Sequence, residues 1–297
     1  VPNLIWPRIS GAGRKMWRNF LPAAASAGGM QLNLLIDLIL ASLLPVGAIS
    51  WLYYADRVAQ LPLGVIGIAL GTALLPRLSA AEAAGQTAEV RNSLSDALGF
   101  AGFFVIPAVT GLVLCGLPII EGLFVYGAFT SSDAKMAAMA LAAYGCGLPG
   151  FVMVKILQTV FYATSQPGMV LKISLITVAI NVAGSLSLMP ILGHVGLALA
   201  TAISGTVAAA IMLYLLARQH RLSASFLPVC GKIMLASAVM GAAIVSLQFG
   251  LDRLVFVPAV FGLVAIVGGG GAVYAVIAYI FGAIPPGLLR TRQGRNT

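Results

Sequence analysis

Four ionisable side chains, Asp37, Asp56, Arg57 and Lys155, lie within stretches of this 297-residue chain that are otherwise almost free of charge. Arg57 carries a permanent charge and a planar fork of donors, which suits phosphate or carboxylate oxygens. Asp56 is its chain neighbour, but adjacent residues on a helix project about 100° apart, so the two need not pair and both can line a wet interior. The alternative for Arg57 is a structural one, snorkelling outward or tying two helices together. Lys155 either lines the same interior or makes an intramembrane salt bridge to an acid on a neighbouring helix. Asp37 can stand as a hydrogen-bonded structural carboxylate. This is chemistry of holding ions rather than of making bonds. No paired carboxylates, nucleophile elbow or metal cluster supports catalysis, so an enzyme is not expected. Cys115, Cys146 and Cys230 sit in apolar surroundings without C-x-x-C spacing and read as buried free thiols. His194 and His220 stand at opposite helix ends with no Cys, His or Glu at ligand spacing.

The elements that must position these charges follow from composition. Hydrophobic residues make up 60% of the chain and charged ones 8%, with a mean hydropathy of +1.02, outside the range of soluble domains. A bilayer core of about 30 Å needs about 20 apolar residues per crossing helix. Eight stretches meet that need, at 19–44, 51–78, 95–116, 132–162, 168–190, 195–217, 229–249 and 255–281. The alternating pattern of outer-membrane strands is missing. The fold class is therefore an all-α polytopic membrane protein. Pro62 lies five residues after Arg57 and leaves the Val58 carbonyl without its helical donor, weakening the helix beside the charges. Gly64, Gly67 and Gly71 follow it and read mainly as packing positions. Pro149 and Gly150 precede Lys155 by one to two turns, where a kink could open an interior.

Charge placement gives an orientation, because short cytoplasmic loops collect Lys and Arg. Of seventeen basic residues, thirteen fall on one side and only Lys135 and Arg253 on the other, with Arg57 and Lys155 inside the spans. Both ends and the polar 79–97 link are thus expected in the cytoplasm, and 118–131 and 252–254 outside. The +9 net charge is mainly this topology signal. Nucleic acid is not an expected partner, since the basic residues form no single stripe with interleaved aromatics. The organisation expected is a basic interfacial segment (1–18), a six-helix lobe (19–217), a cytoplasmic linker (218–228), two further spans (229–281) and a basic tail (282–297). The first segment is not a signal peptide, which suggests the C-terminal part of a longer protein. Residues 117–131 are too short for a span and read as a re-entrant or interfacial helix.

The motifs YYADRVAQLPLGVIGIALGTALLPRLS (53–79), QLNLLIDLILAS (31–42), FVYGAFTSSDA (124–134) and VKILQTVFYA (154–163) together resemble the MurJ/MviN family of lipid II flippases in the MOP transporter superfamily. The resemblance covers essentially the whole chain and implies the second lobe of a MOP/MATE-like flippase plus two C-terminal helices, with a first lobe missing here. It implies movement of lipid II, the undecaprenyl-diphosphate-linked peptidoglycan precursor, across the bacterial inner membrane by alternating access. It assigns Arg57, with Asp56 beside it, and Lys155 to the cationic cavity. Gln60 stands where some members have an acid, and TSQPGM (164–169) departs from the family's basic loop. The resemblance also implies a sodium site made by Asp37, Asn181, Thr201 and the Leu197 carbonyl, with Ser185 where a second acid can stand. The partners implied are membrane lipids, lipid II and the first lobe, with cell-wall synthesis proteins as further candidates. Other readings are a MATE-like drug or cation antiporter, another polysaccharide-lipid exporter, and a membrane scaffold that recruits cell-wall enzymes without transporting.

Overall fold

The computed structural model describes residues 11–223, 226–251 and 259–283. The expected 252–254 loop, most of the basic tail and the first ten residues lie outside them. The described chain is helical throughout: α1 (Gly11–Ser42), α2 (Ala48–Pro62), a π-helical segment (Leu63–Ile68), α3 (Ala69–Ala83), α4 (Thr87–Leu114), α5 (Gly116–Phe124), α6 (Ser131–Ala163), α7 (Pro167–Leu192), α8 (His194–Arg218), α9 (Leu227–Leu251) and α10 (Ala259–Ile280). Among the described residues seven helical runs are long and apolar enough to cross a membrane, one of them the continuous Ala48–Ala83, and α1 adds the apolar run Asn33–Ser42. The all-α membrane fold expected from composition is the fold observed.

Helix ends follow local rules. Pro62 brings no donor for the Val58 carbonyl, and the chain widens into one π turn over Leu63–Ile68 instead of breaking. The polar 79–97 link is mostly helix: α3 runs to Ala83, Gly85 turns with φ 68°, and α4 starts at Thr87. The left-handed φ suits a residue without Cβ. At 36 residues, Ala48–Ala83 is longer than the roughly 20 residues a bilayer needs, so its last turns project beyond the apolar slab. The segment expected to be a short interfacial helix is α5. Thr130 and Asp133 then form a reciprocal capping box that starts α6.

The centre of the lobe is α6, packed on α2, α3, α4, α5 and α8. Its seam with α8 is built of small residues. A Cβ on Gly147 would stand 2.6 Å from Ala202 Cα, and one on Gly150 would stand 2.8 Å from Thr206 Cα. Close helix approach therefore depends on these glycines. α6 continues through Pro149, and Gly150 serves this packing. α7 pairs with α8 and with α1.

The α9–α10 hairpin has its own small core, which includes Ile233, Ile244, Ile266 and Cys115. It is fastened to α4 at two carbonyls that α4 itself cannot satisfy. Tyr274 Oη donates to the Phe103 carbonyl at 2.6 Å, the position left without a helical donor by Pro107. Gln248 Nε2 donates to the Leu114 carbonyl at 3.0 Å, in the last turn of α4. Within the Gly268–Gly271 run, Gly270 faces Ile244 and Gly269 faces Leu247, so part of that run packs α10 on α9. The cysteine expectation needs correction: Cys115 is buried and Cys230 half-buried, but Cys146 is exposed. All three are free.

Candidate cation-lined face and oxygen cluster

Arg57 lies on α2, where Leu52, Ala55, Val58 and Ala59 turn toward the core. Tyr53, Arg57, Gln60 and Leu61 turn the other way and are exposed. The guanidinium carbon of Arg57 sits 4.8 Å from the centre of the Tyr53 ring, a cation–π contact. The ion pairs of the described residues are Arg77 with Glu89 and Arg221 with Glu82, so Arg57 is paired with no acid among them. Asp56 is half-buried, and its carboxylate accepts a hydrogen bond from Gln60 Nε2. The neighbours in sequence form no ion pair, although the Arg57 charge is near enough to act on the Asp56 carboxylate. Arg57 keeps its in-plane donors open.

Lys155 is half-buried on α6, with its stem against Gly67 of the π segment: a Cβ there would lie 3.6 Å from Lys155 Cβ and Cγ. Like Arg57, Lys155 is bridged to no acid among the described residues. Gly67 follows Arg57 by ten residues, about 15 Å along a helix. The backbone positions that carry the two cations are therefore offset along the span.

The far end of α2, the end remote from the Gly85 turn, is pinned by aromatic and polar contacts that sequence reasoning did not anticipate. Trp51 Nε1 donates to Asp133 Oδ1 at 2.8 Å, and the Trp51 ring meets the His194 ring edge-on at 5.0 Å. His194 Nε2 lies 3.0 Å from the Met136 carbonyl, and donates there in the tautomer protonated at that nitrogen.

A second polar site lies between α1, α7 and α8. Asn181 Nδ2 donates to Thr201 Oγ1 at 3.0 Å, and Thr201 Oγ1 lies 3.1 Å from the Leu197 carbonyl and 3.4 Å from Asp37 Oδ2. Asp37, Asn181, Thr201 and Leu197 are therefore brought together. Asn33 joins them from one turn before Asp37, its Nδ2 donating to Asp37 Oδ2 at 3.3 Å. The i, i+4 spacing of Asn33 and Asp37 was the available signal for it. Four oxygens of this seam are buried without a hydrogen-bond partner: Asn33 Oδ1, Asp37 Oδ1, Asn181 Oδ1 and Ser185 Oγ. Buried polar atoms are rarely left so. One carboxylate among neutral oxygens is a donor set that fits a hard monovalent cation.

The comparisons with known proteins agree with one another. The pattern defining the family described as lipid II flippase MurJ matches residues 2–265. A probable lipid II flippase MurJ of Rhizobium tropici is 34% identical over 302 residues, spanning 99% of this chain and 56% of that protein. The lipid II flippase MurJ of Burkholderia cenocepacia is 32% identical, spanning 78% of this chain and 44% of that protein. Among solved structures, lipid II flippase MurJ in an inward closed conformation superposes with a TM-score of 0.73 at 28% identity, over 88% of this chain and 52% of that one. An outward-facing multidrug resistance MATE family transporter of the MOP superfamily superposes with a TM-score of 0.55 at 14% identity, over 89% of this chain and 64% of that one. The MATE likeness shows the fold alone. The chain spans about half the length of the curated relatives it matches.

Proposed function

The chain belongs to the MurJ family of lipid II flippases, and from that premise we propose that it supplies the second lobe and two C-terminal helices of a transporter that carries lipid II across the bacterial inner membrane. The observation that carries the reading is Arg57: a cation in an apolar span, exposed and paired with no acid among the described residues. An unpaired intramembrane charge is expensive, and a diphosphate crossing the same slab loses hydration that a fixed guanidinium replaces. Arg57 grips the diphosphate by bidentate donation. Lys155, about 15 Å deeper by helical rise, offers a second point charge to the head group at another stage of its passage. Asp56 is hydrogen-bonded by Gln60 and makes no ion pair with Arg57. The opposing wall comes from a first lobe, against which this one rocks.

The orientation follows the basic asymmetry, with the Gly85 turn and both ends cytoplasmic. Asp37, Asn181, Thr201 and the Leu197 carbonyl would hold sodium, with Asn33 and Ser185 offering further oxygens. Bound there, the ion would supply one positive charge to a seam joining three helices. Cell-wall synthesis proteins are proposed partners on the strength of the pathway alone.

The test is lipid II flipping per folded molecule in the full-length protein. Arg57→Ala should abolish flipping, and Arg57→Lys should leave partial activity, because it keeps the charge and loses the fork. Normal flipping by the Ala variant would remove Arg57 from the substrate path.

A further inference from the structure

Resting on the reading of Arg57 as a diphosphate ligand, we propose that Tyr53 is the positioning residue for its guanidinium, and that the 124–129 segment is the bracket that holds Tyr53 in place. Arg57 is a long, exposed side chain, and a side chain of that length loses considerable freedom when it is fixed. One turn earlier on the same face, Tyr53 is 53% exposed and lies under the guanidinium at 4.8 Å. The contact restrains the guanidinium over the ring face, and no ion pair takes up its N–H groups among the described residues. The fork is thereby aimed without being used.

Tyr53 is itself supported. Its ring meets Tyr54 edge-on at 5.8 Å, and Tyr54 is wedged between Phe124 at 4.5 Å and Phe129 at 5.0 Å. Phe124 ends α5, and Phe129 precedes the Thr130–Asp133 capping box, whose carboxylate also receives Trp51 of α2. The motif at 124–134 and the motif at 53–57 are therefore two halves of one device. α5 is the prop of an aromatic relay that ends at a cation. Gln60 completes it from the other side, because its amide occupies the carboxylate of Asp56, which would otherwise compete for Arg57.

The experiment measures lipid II affinity and melting temperature in the full-length protein in nanodiscs. Arg57→Ala first tests the underlying reading, which fails if affinity is unchanged. Given a loss there, Tyr53→Leu should weaken binding about twofold to fivefold, the range expected of a lost cation–π contact at an exposed site, with melting temperature preserved. Tyr53→Phe should bind as the parent does, and Tyr53→Trp as well or better, since the indole face attracts cations more strongly. In the Arg57→Ala background Tyr53→Leu should have no further effect. Unchanged affinity for Tyr53→Leu, equal losses for Leu and Phe, or an additive loss without Arg57 would each overturn the positioning role while leaving the diphosphate reading intact. If Tyr53→Leu lowers the folded yield, the Trp variant decides: weakened binding there overturns the proposal.

Discussion

Glu82 and Arg221 meet in a two-pronged contact, Nη1 to Oε2 at 2.5 Å and Nη2 to Oε1 at 2.8 Å, that ties the end of α3 to the chain after α8. Both side chains are largely covered, so the pair is better than an ordinary surface bridge. Arg221→Ala should destabilise the protein by about 1–2 kcal/mol, and Arg221→Lys by less than that, read as melting temperature in one detergent. At Asp37 the expected result is that sodium raises the melting temperature of the parent and not of Asp37→Asn, with potassium as the control. A sodium shift that survives Asp37→Asn would exclude the oxygen cluster as its origin. Composition and spacing made the four intramembrane charges legible, because a charge in an apolar run is conspicuous in any sequence. Their partners were not legible. Gln60 on Asp56 and Tyr53 under Arg57 share an i, i+4 spacing that permits contact, but which of the pairs at that spacing meet depends on rotamers. Asn33 was within reach, standing one turn before Asp37.

At the scale of helices, the α9–α10 hairpin is joined to α4 through the Phe103 carbonyl that Pro107 leaves without a donor. Tyr274→Phe removes that hydroxyl at almost constant volume and should cost about 1–3 kcal/mol, the penalty for a buried acceptor left unsatisfied. Hydrogen exchange should then rise locally around Phe103 while α6 and α8 stay protected. Replacing Gly147 by Leu would drive a side chain into the Ala202 backbone, and it should prevent the α6–α8 seam from closing, seen as loss of folded yield. Helix positions were legible because each span is a long apolar run bounded by polar residues. The 79–97 link was legible too, as two short helical patterns separated by Gly85, and the structure ends α3 at Ala83 and starts α4 at Thr87 on either side of that turn. The small-residue seam was not, because its partners lie about fifty residues apart in the chain.

For the whole molecule, the chain spans about half the length of the relatives it matches, and under the two-lobed mechanism proposed above it holds one of the two lobes. This chain reconstituted alone should move no lipid II above a protein-free control, whereas co-expression with a first lobe from a relative should restore movement. Cysteine labelling in intact cells should reach position 252 before permeabilisation and position 86 only after it. The reverse pattern would invert the proposed orientation. That the fold belongs to a transporter was legible from ordered motifs, while the depth offset between Arg57 and Lys155 was not, because it depends on how the π segment lies against α6. That segment has a further consequence. One π turn holds one residue more than the helix around it needs, and the widening absorbs that residue locally, so α2 and α3 keep the phase of one continuous helix. Deleting a single residue there should restore a regular α-helix and leave Leu74 and Leu78 buried, whereas deleting one from the regular turn of α3 before them would rotate both by about 100° toward lipid. A stretch that looks irregular is thus the place in this span where chain length can change by one.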